Sequence, residues 1–522
     1  MSMAKLPRRK CANKECRQWF HPVRDTQTVC GYECASVVGK EQTRKAREDA
    51  RRKESAKQRA TEKKERAAWR QRKAAVKPLK HWEDLTQRVV NDYIRERDAN
   101  QPCISCGTFE TVQWEAGHYR SRGKASHLRY HEDNIYPDND KDVITTGGSG
   151  FGLMTILVGV DRKFIPRQEA VKRLTHIADF LEKADRFHGA WSHWINGETG
   201  KVVPFGRKDN GGDLVESAFL TSGILMVREY FKDGNAEEKA LAKKCDELWK
   251  GIEWNWYTKG GQKVLYWHWS PNYGWEMNFP LEGYNECLIT YILAASSPTH
   301  SIDAETFYKG WTRNGTYLTD KTKYGLPLYV KHNYSEEYGG PLFWAHYSYI
   351  GLDPRGLSDK LIKNYFDLNK NQVLIDYKYC VENPKKWNGY GENYWGLTAS
   401  YTRNDDGSVG YTAHQPTEDR GVITPTAALS SFPYSPKESM DFLRFIYTQK
   451  PQFIGSAGPF DATSIHYNNW FTPRYLAIDQ GTIAPMIENH RTGFLWKLFM
   501  NAPEIKNGLK KLGFSSTKYK IN

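Results

Sequence analysis

Six cysteines fall into three close pairs within the first 106 residues: Cys11 with Cys16, Cys30 with Cys34, and Cys103 with Cys106. The first two pairs offer four thiolates at loop-closing spacings that suit tetrahedral zinc, and no other force could organise so short and polar a segment. Cys103, Cys106 and His118 in AGHYR look like half of a second metal centre, of the kind whose histidine activates water against a phosphodiester. No second cysteine pair follows within the next hundred residues to close it. Cys245, Cys287 and Cys380 are scattered and read as buried thiols.

A second set of reactive groups is carboxylic. Asp213 and Glu216 (GGDLVESAF), Glu282 and Glu286 (PLEGYNECLITYILAASSPTH), and Asp479 and Glu488 (AIDQGTIAPMIENHRTG) sit in Gly- and aromatic-rich contexts at predicted helix starts. Cleaving a glycosidic bond takes one protonated carboxylic acid at the leaving oxygen and a second carboxylate to activate water or attack carbon, in an aromatic-lined cleft. Each acid has the alternative of being an N-cap. The aromatic lining would come from loops 186–194, 266–275 and 387–395, which carry His188, Trp191, Trp194, Trp267, Trp269, Trp275 and Trp395. Any of these rings has the alternative of being core.

The elements that must carry these groups divide the chain. At 522 residues it exceeds one ordinary core. Residues 1–135 hold 31 Lys and Arg against 18 Asp and Glu, a net +13, so the remainder of the +14 chain is +1. A polyanionic partner such as nucleic acid fits the first part and is not required by the second. The expected layout is a four-cysteine zinc-binding unit over 1–40, a basic helix or disordered arm over 41–79, a small unit over 80–135 that opens with a helix at about His81–Asp98, and a large domain over 136–522. In the large domain, apolar residues recur at helical spacing, as in Val171, Leu174, Ile177, Leu181 and in Leu241, Cys245, Leu248, Ile252. Roughly a dozen such helices and little strand alternation predict a mainly α domain with functional loops at one end, a pattern that an (α/α)6 toroid would fit. The start lacks an apolar signal region and no run of about 18 apolar residues occurs, so the chain as written reads as cytoplasmic, without a membrane segment.

KCANKECRQWFHPVRDTQTVCGYECA, AAVKPLKHWEDLTQRVVNDYIRERD, PCISCG and AGHYRSRG resemble the NinG (Rap) recombination proteins of lambdoid phages over about residues 3–135. The resemblance implies binding to branched recombination intermediates of DNA and structure-specific nuclease activity. In that family a further cysteine pair and an Asn-rich stretch follow the histidine. Here residues 136–142 read YPDNDKD instead, which leaves the nuclease site incomplete.

DVITTGGSGFGLMTILVGVDRKFI, ADRFHGAWSHWINGETGKVVPF, DNGGDLVESAFL, GYNECLITYILAASSPTH and YLAIDQGTIAPMIENHRTGFLWKLFM resemble the bacterial glucoamylase-like proteins, the endo-β-1,2-glucanases most of all, over about residues 136–514. That resemblance implies an (α/α)6 toroid, inverting hydrolysis of β-1,2-glucan without a cofactor, and a periplasmic or secreted setting. It makes Glu286 the general acid and Asp479 the general base, and Asp213 and Glu216 ligands of substrate hydroxyls. The family also has residues ahead of the DVITTGG motif that supply a first helix, which this chain replaces. The leading reading is a glycoside hydrolase. Its alternatives are a phage-like DNA-binding protein, and a fusion joined near Ile135 in which neither activity is complete.

Overall fold

The structure is a computed structural model that describes residues 7–43 and 143–521. The chain divides into two compact units, residues 1–132 and 133–522. In the first, strands Arg9–Lys10 and Trp19–Phe20 pair antiparallel, with Arg9 opposite Phe20 and Lys10 opposite Trp19. A helical segment follows over residues 32–43. The remainder of the basic arm, the helix expected at His81–Asp98, and Cys103, Cys106 and His118 lie outside the described residues.

The second unit is mainly helical, as expected. Its helices of six residues or more are α1 Thr146–Asp161, α2 Arg167–Lys183, α3 Leu214–Phe231, α4 Ala236–Lys250, α5 Leu288–Ser296, α6 Tyr365–Glu382, α7 Pro425–Ser430, α8 Pro436–Gln449, α9 Ala477–Thr492, α10 Phe494–Asn501 and α11 Pro503–Lys511. Their sequences set two kinds of position. Helix α5 is buried at every residue and α3 at sixteen of eighteen, which suits helices apolar all round. Helix α2 instead buries one stripe, Ala170, Val171, Leu174, Ala178 and Leu181, and turns its charges to solvent. Helix α4 does the same and starts on a capping box, with the Glu238 amide donating to Asn235 and the Asn235 amide donating to Glu238. The result is inner helices, among them α1 packed on both α3 and α9, with amphipathic helices outside. Small two- and three-stranded sheets build the connecting loops. No helix of the described residues is long and apolar enough to cross a membrane.

Two contacts fix the inner helices. Arg228 of α3, almost wholly buried, donates to Asp246 of α4 at 2.7 Å and to both carboxylate oxygens of Glu504 of α11 at 3.0 and 2.6 Å. Helices α1 and α3 cross at glycines: a Cβ on Gly150 would lie 2.3 Å from the Phe219 carbonyl, and one on Gly223 would lie 2.4 Å from the Gly150 carbonyl. The close crossing is what brings the first turn of α1 onto the side chains of α3. Gly150→Ala should therefore lower unfolding free energy by about 1–3 kcal/mol, the range for overpacking. Gly152→Ala, on the same helix but facing open space, should leave stability unchanged or slightly raised; chemical denaturation of both variants checks the contrast.

Candidate active site

A two-residue strand pair starts the site. Gly212–Asp213 runs antiparallel to His268–Trp269, and its register sets Asp213 opposite His268. Asp213 is the N-cap of α3: its Oδ1 accepts the amides of Val215 at 3.0 Å and Glu216 at 2.9 Å. The capping role leaves Oδ2 free to face the cleft. There it lies 3.1 Å from Nδ1 of His193 and 3.5 Å from Nε2 of His268. His193 is held where strand Val143–Thr145 pairs with Trp194–Asn196, and its carbonyl accepts the Thr146 amide at 3.1 Å. Asp209 completes the group, with Oδ2 3.3 Å from His268 and 4.0 Å from His193.

Charge in this group is balanced. Burial would lower both imidazoles, yet the surrounding carboxylates hold His193 and His268 up at about 9. Burial would likewise raise Asp213, but hydrogen bonds from the two histidines outweigh it and hold that carboxyl well below the usual range. His193, Asp209 and Asp213 also present ligand atoms within 4.8 Å of one another, a donor set able to take a cation in place of protons. The group opens on a cavity of about 720 Å³ whose walls include His193, Phe205, Asp209, Trp267, His268 and Phe279.

Glu216, one turn into α3, crosses to the start of α1 and accepts the Gly147 amide at 2.7 Å. Burial pushes its carboxyl up to about 7, with Asp213 and Asp209 adding to the rise against His193. Half-buried Glu286 precedes α5. Burial raises it to about 7 as well, its own amide and Trp344 oppose the rise, and Glu216 and Asp213 add to it. The charge of Asp213 thus helps keep two neighbouring carboxyls protonated.

Asp479 lies in the first turn of α9 and is 1% exposed. Its Oδ1 accepts the Tyr347 hydroxyl at 2.7 Å, and burial pushes it up to about 7 against the effect of Tyr347 and Asp461. The neighbouring residue, Ser348, donates to the Glu286 carbonyl at 2.5 Å and accepts the Ile289 amide at 3.1 Å. Two consecutive side chains thereby join the Glu286 turn to Asp479.

The structure brings together Asp213, Glu216 and Glu286, links Asp479 to them through Tyr347, and excludes some residues expected from sequence. Glu488 is not at a helix start but in the last turns of α9, where Arg162 grips it at 2.6 Å through two nitrogens and Thr492 donates at 2.6 Å. It is a structural ion pair. Trp191 is fully buried, donates to the Leu181 carbonyl at 3.1 Å and lies under the Arg186 guanidinium. Trp395 is also fully buried and donates to the Glu438 carbonyl. Neither ring is a platform. Glu282 accepts Tyr334 at 3.0 Å, with Arg313 at 3.5 Å. Trp194 packs edge-on against His193 and Phe205; Trp269 and Trp275 flank Trp256, on which His188 stacks at 3.7 Å. Asp209, His193, His268, Tyr347 and Asp461 were not singled out from sequence. Asp209 heads the DNGGD motif and both histidines sit beside tryptophans, so those three carried a signal; Tyr347 and Asp461 carried none.

In the first unit the sulfurs of Cys11, Cys16, Cys30 and Cys34 converge within 4.8 Å. Cys30 Sγ is 3.5 Å from Cys16 Sγ and 3.6 Å from Cys34 Sγ, close to the edge of about 3.8 Å that a Zn–S bond of about 2.3 Å implies in a tetrahedron.

Comparison with known proteins gives two separate matches, so the chain is chimeric. The Glycoamylase family model, described as "Putative glucoamylase", matches residues 278–503, and the bacteriophage lambda NinG protein model matches residues 3–141. An endo-β-1,2-glucanase from Chitinophaga pinensis, solved with sophorotriose and glucose, superposes with a TM-score of 0.70 at 55% identity, over 73% of this chain and 90% of that one. The exo β-1,2-glucooligosaccharide sophorohydrolase of Parabacteroides distasonis is 45% identical over 447 residues, which is 81% of this chain and 61% of that protein. Protein ninG of Escherichia phage lambda is 50% identical over 134 residues, 26% of this chain and 66% of the phage protein. The chain thus spans only part of both curated relatives.

The raised Glu286 carboxyl carries a stability consequence. A group with its folded pKa above its unfolded one contributes stability that is present below the unfolded pKa and lost as pH rises through the folded value. The loss therefore runs from about pH 4.5 to about 7. Glu286→Gln, which never ionises, should be more stable than the parent by about 1–2 kcal/mol at pH 8 and equal to it at pH 4; thermal melts at the two pH values read the difference.

Proposed function

The chain belongs to the Glycoamylase family, and from that premise we propose that its large unit hydrolyses β-1,2-linked glucan by an inverting mechanism, as an (α/α)6 toroid with its cleft at the loop end. The observation that carries the reading is the half-buried Glu286 carboxyl, held near neutrality beside the fixed negative charge of Asp213. Such a group can donate a proton to a leaving glycosidic oxygen at neutral pH. Burial of Asp479 keeps it from open solvent, so its route to a water is the hydroxyl of Tyr347: water gives a proton to the Tyr347 oxygen while that hydroxyl passes its own to Asp479 Oδ1. Asp213, Glu216 and Glu282 supply acceptors for sugar hydroxyls, and His188, Trp194, Trp267, Trp269 and Trp275 supply faces for the rings. Cutting within the chain is favoured over release from an end because the endo-acting relative is matched over nine tenths of its length.

For the first unit the converging sulfurs support a second reading. Cys11, Cys16, Cys30 and Cys34 would hold one structural zinc, and the basic segment would bind branched DNA by phosphate contacts. The ion would supply a cross-link, and no chemical step is assigned to it.

Incubation with linear β-1,2-glucan should release sophoro-oligosaccharides, detected as reducing ends, with the newly formed anomer inverted by NMR. Glu286→Gln should lower kcat by roughly 10²–10⁴, the usual weight of a general acid; unchanged turnover would remove Glu286 from the role. For the second reading, the full chain should contain one zinc by elemental analysis and retain a four-way DNA junction in a salt-dependent manner, and Cys30→Ser should lose the metal.

A further inference from the structure

Asp461 is buried where its amide donates to the Arg474 carbonyl at 3.1 Å, beside a small satellite core of Tyr401, Val422, Ala462 and Leu476, and its carboxyl is within hydrogen-bonding reach of that of Asp479. One of its oxygens, Oδ2, accepts the Tyr401 amide at 2.8 Å. The other, Oδ1, is buried without a donor, and so is Oδ2 of Asp479. Two orphaned carboxylate oxygens in one apolar pocket are a costly arrangement if both acids are ionised. The cost vanishes when a single proton lies between them, since the protonated acid then donates to the other.

We propose that Asp461 is a positioning residue that shares one proton with Asp479, so that Asp479 can remain anionic in a site sealed from solvent. The role rests on the reading of Asp479 as the base. In this arrangement Asp479 is held from both sides, by Tyr347 at Oδ1 and by the Asp461 hydroxyl at Oδ2, and the pair carries one negative charge. When Asp479 accepts the proton relayed from water, the pair becomes neutral and the Asp461 proton stays in place. No other reactant enters the step.

The surroundings leave the pair few rivals among the described residues. Hydroxyls of Thr426 and Thr482 go to the Asp479 backbone carbonyl, at 2.7 and 2.8 Å, and not to its carboxyl. From strand Ala399–Arg403 comes Tyr401, with the Arg474 guanidinium over its ring at 5.3 Å. Glu216 of α3 and Tyr411 of strand Val409–Ala413 act on Tyr347. Burial and the charge of Asp479 hold the Asp461 carboxyl far above its ordinary range, while the Tyr401 amide opposes. That direction agrees with the orphaned atoms.

Three variants test the pair: Asp461→Asn, which keeps a donor toward Asp479 but holds no exchangeable acid proton, Asp461→Ala, which offers no donor, and Asp479→Asn. In the pH profile of glucan hydrolysis, Asp461→Ala should move the acid limb up by a full unit or more, and Asp461→Asn by less, with the pH-independent kcat drawn from the bell-shaped profile within about tenfold of the parent. A uniform loss at every pH with the limb unmoved would reduce Asp461 to a structural residue. The second readout needs no activity. At pH 9, where Glu216 and Glu286 are ionised, the infrared spectrum of the full chain should hold protonated-carboxyl intensity beyond that of buried Asp376, which Asp376→Asn identifies, and this further band should disappear in Asp461→Asn and equally in Asp479→Asn. An unchanged band in both overturns the shared proton even if glucan is hydrolysed, and a lost band upholds it even if glucan is not.

Discussion

Two neighbouring side chains tie the candidate site together: Tyr347 donates to Asp479, and Ser348 donates to the backbone of Glu286. Each bond repairs a defect on both sides. A buried phenol needs an acceptor and a buried carboxylate needs a donor, so the Tyr347–Asp479 pair lowers two desolvation penalties at once. Tyr347 has little freedom to leave, because the rings of Phe151, Phe219 and Phe343 close around it at 5.0–5.4 Å. Those rings come from α1, α3 and the turn just before Tyr347. The glycine crossing of α1 and α3 therefore helps hold, through Phe151 and Phe219, the phenol that donates to Asp479.

The same burial has opposite outcomes for different carboxyls, and their partners decide which. Asp213 has two amides and two imidazoles to offset desolvation and stays ionised. Glu216 has one amide, Glu286 has its own amide and an indole, and both are driven toward neutrality, helped by the charge on Asp213. A fixed anion next to a raised acid is the arrangement that separates proton donor from charge stabiliser in one pocket. The histidines, charged for the same reason, keep the pocket from accumulating net negative charge that would repel an electron-rich glycosidic oxygen.

How much of this was legible in the sequence follows from the range of the interactions. Helices declared themselves by apolar spacing: Val171, Leu174 and Leu181 are buried on α2, and Leu241, Cys245 and Leu248 on α4. Asp213 was legible as a cap, a role that uses one oxygen and leaves the other to two histidines. Trp191, Trp395 and Glu488 were misplaced because a loop-like context says nothing of what lies above it; Arg186, the Glu438 carbonyl and Arg162 decide their fates from elsewhere in the fold. Asp461 gave no signal, since its significance arises from Asp479, which only the folded chain sets beside it.

The two units stabilise themselves by different physics, which bears on how a chimera of this kind persists. Between residues 7 and 43 only Cys11, Asn13 and Pro22 are buried, far too little apolar area to offset the chain entropy of even a short segment. Within those residues the sulfurs of Cys11, Cys16, Cys30 and Cys34 converge within 4.8 Å, a set able to hold a cross-linking ion. The large unit has a continuous core that includes Trp249, Trp254 and Trp311, and buried ion pairs such as Arg228 with Glu504, none of which depends on metal. The second unit's near-neutral charge sets up none of the positive field that the net +13 of residues 1–135 creates.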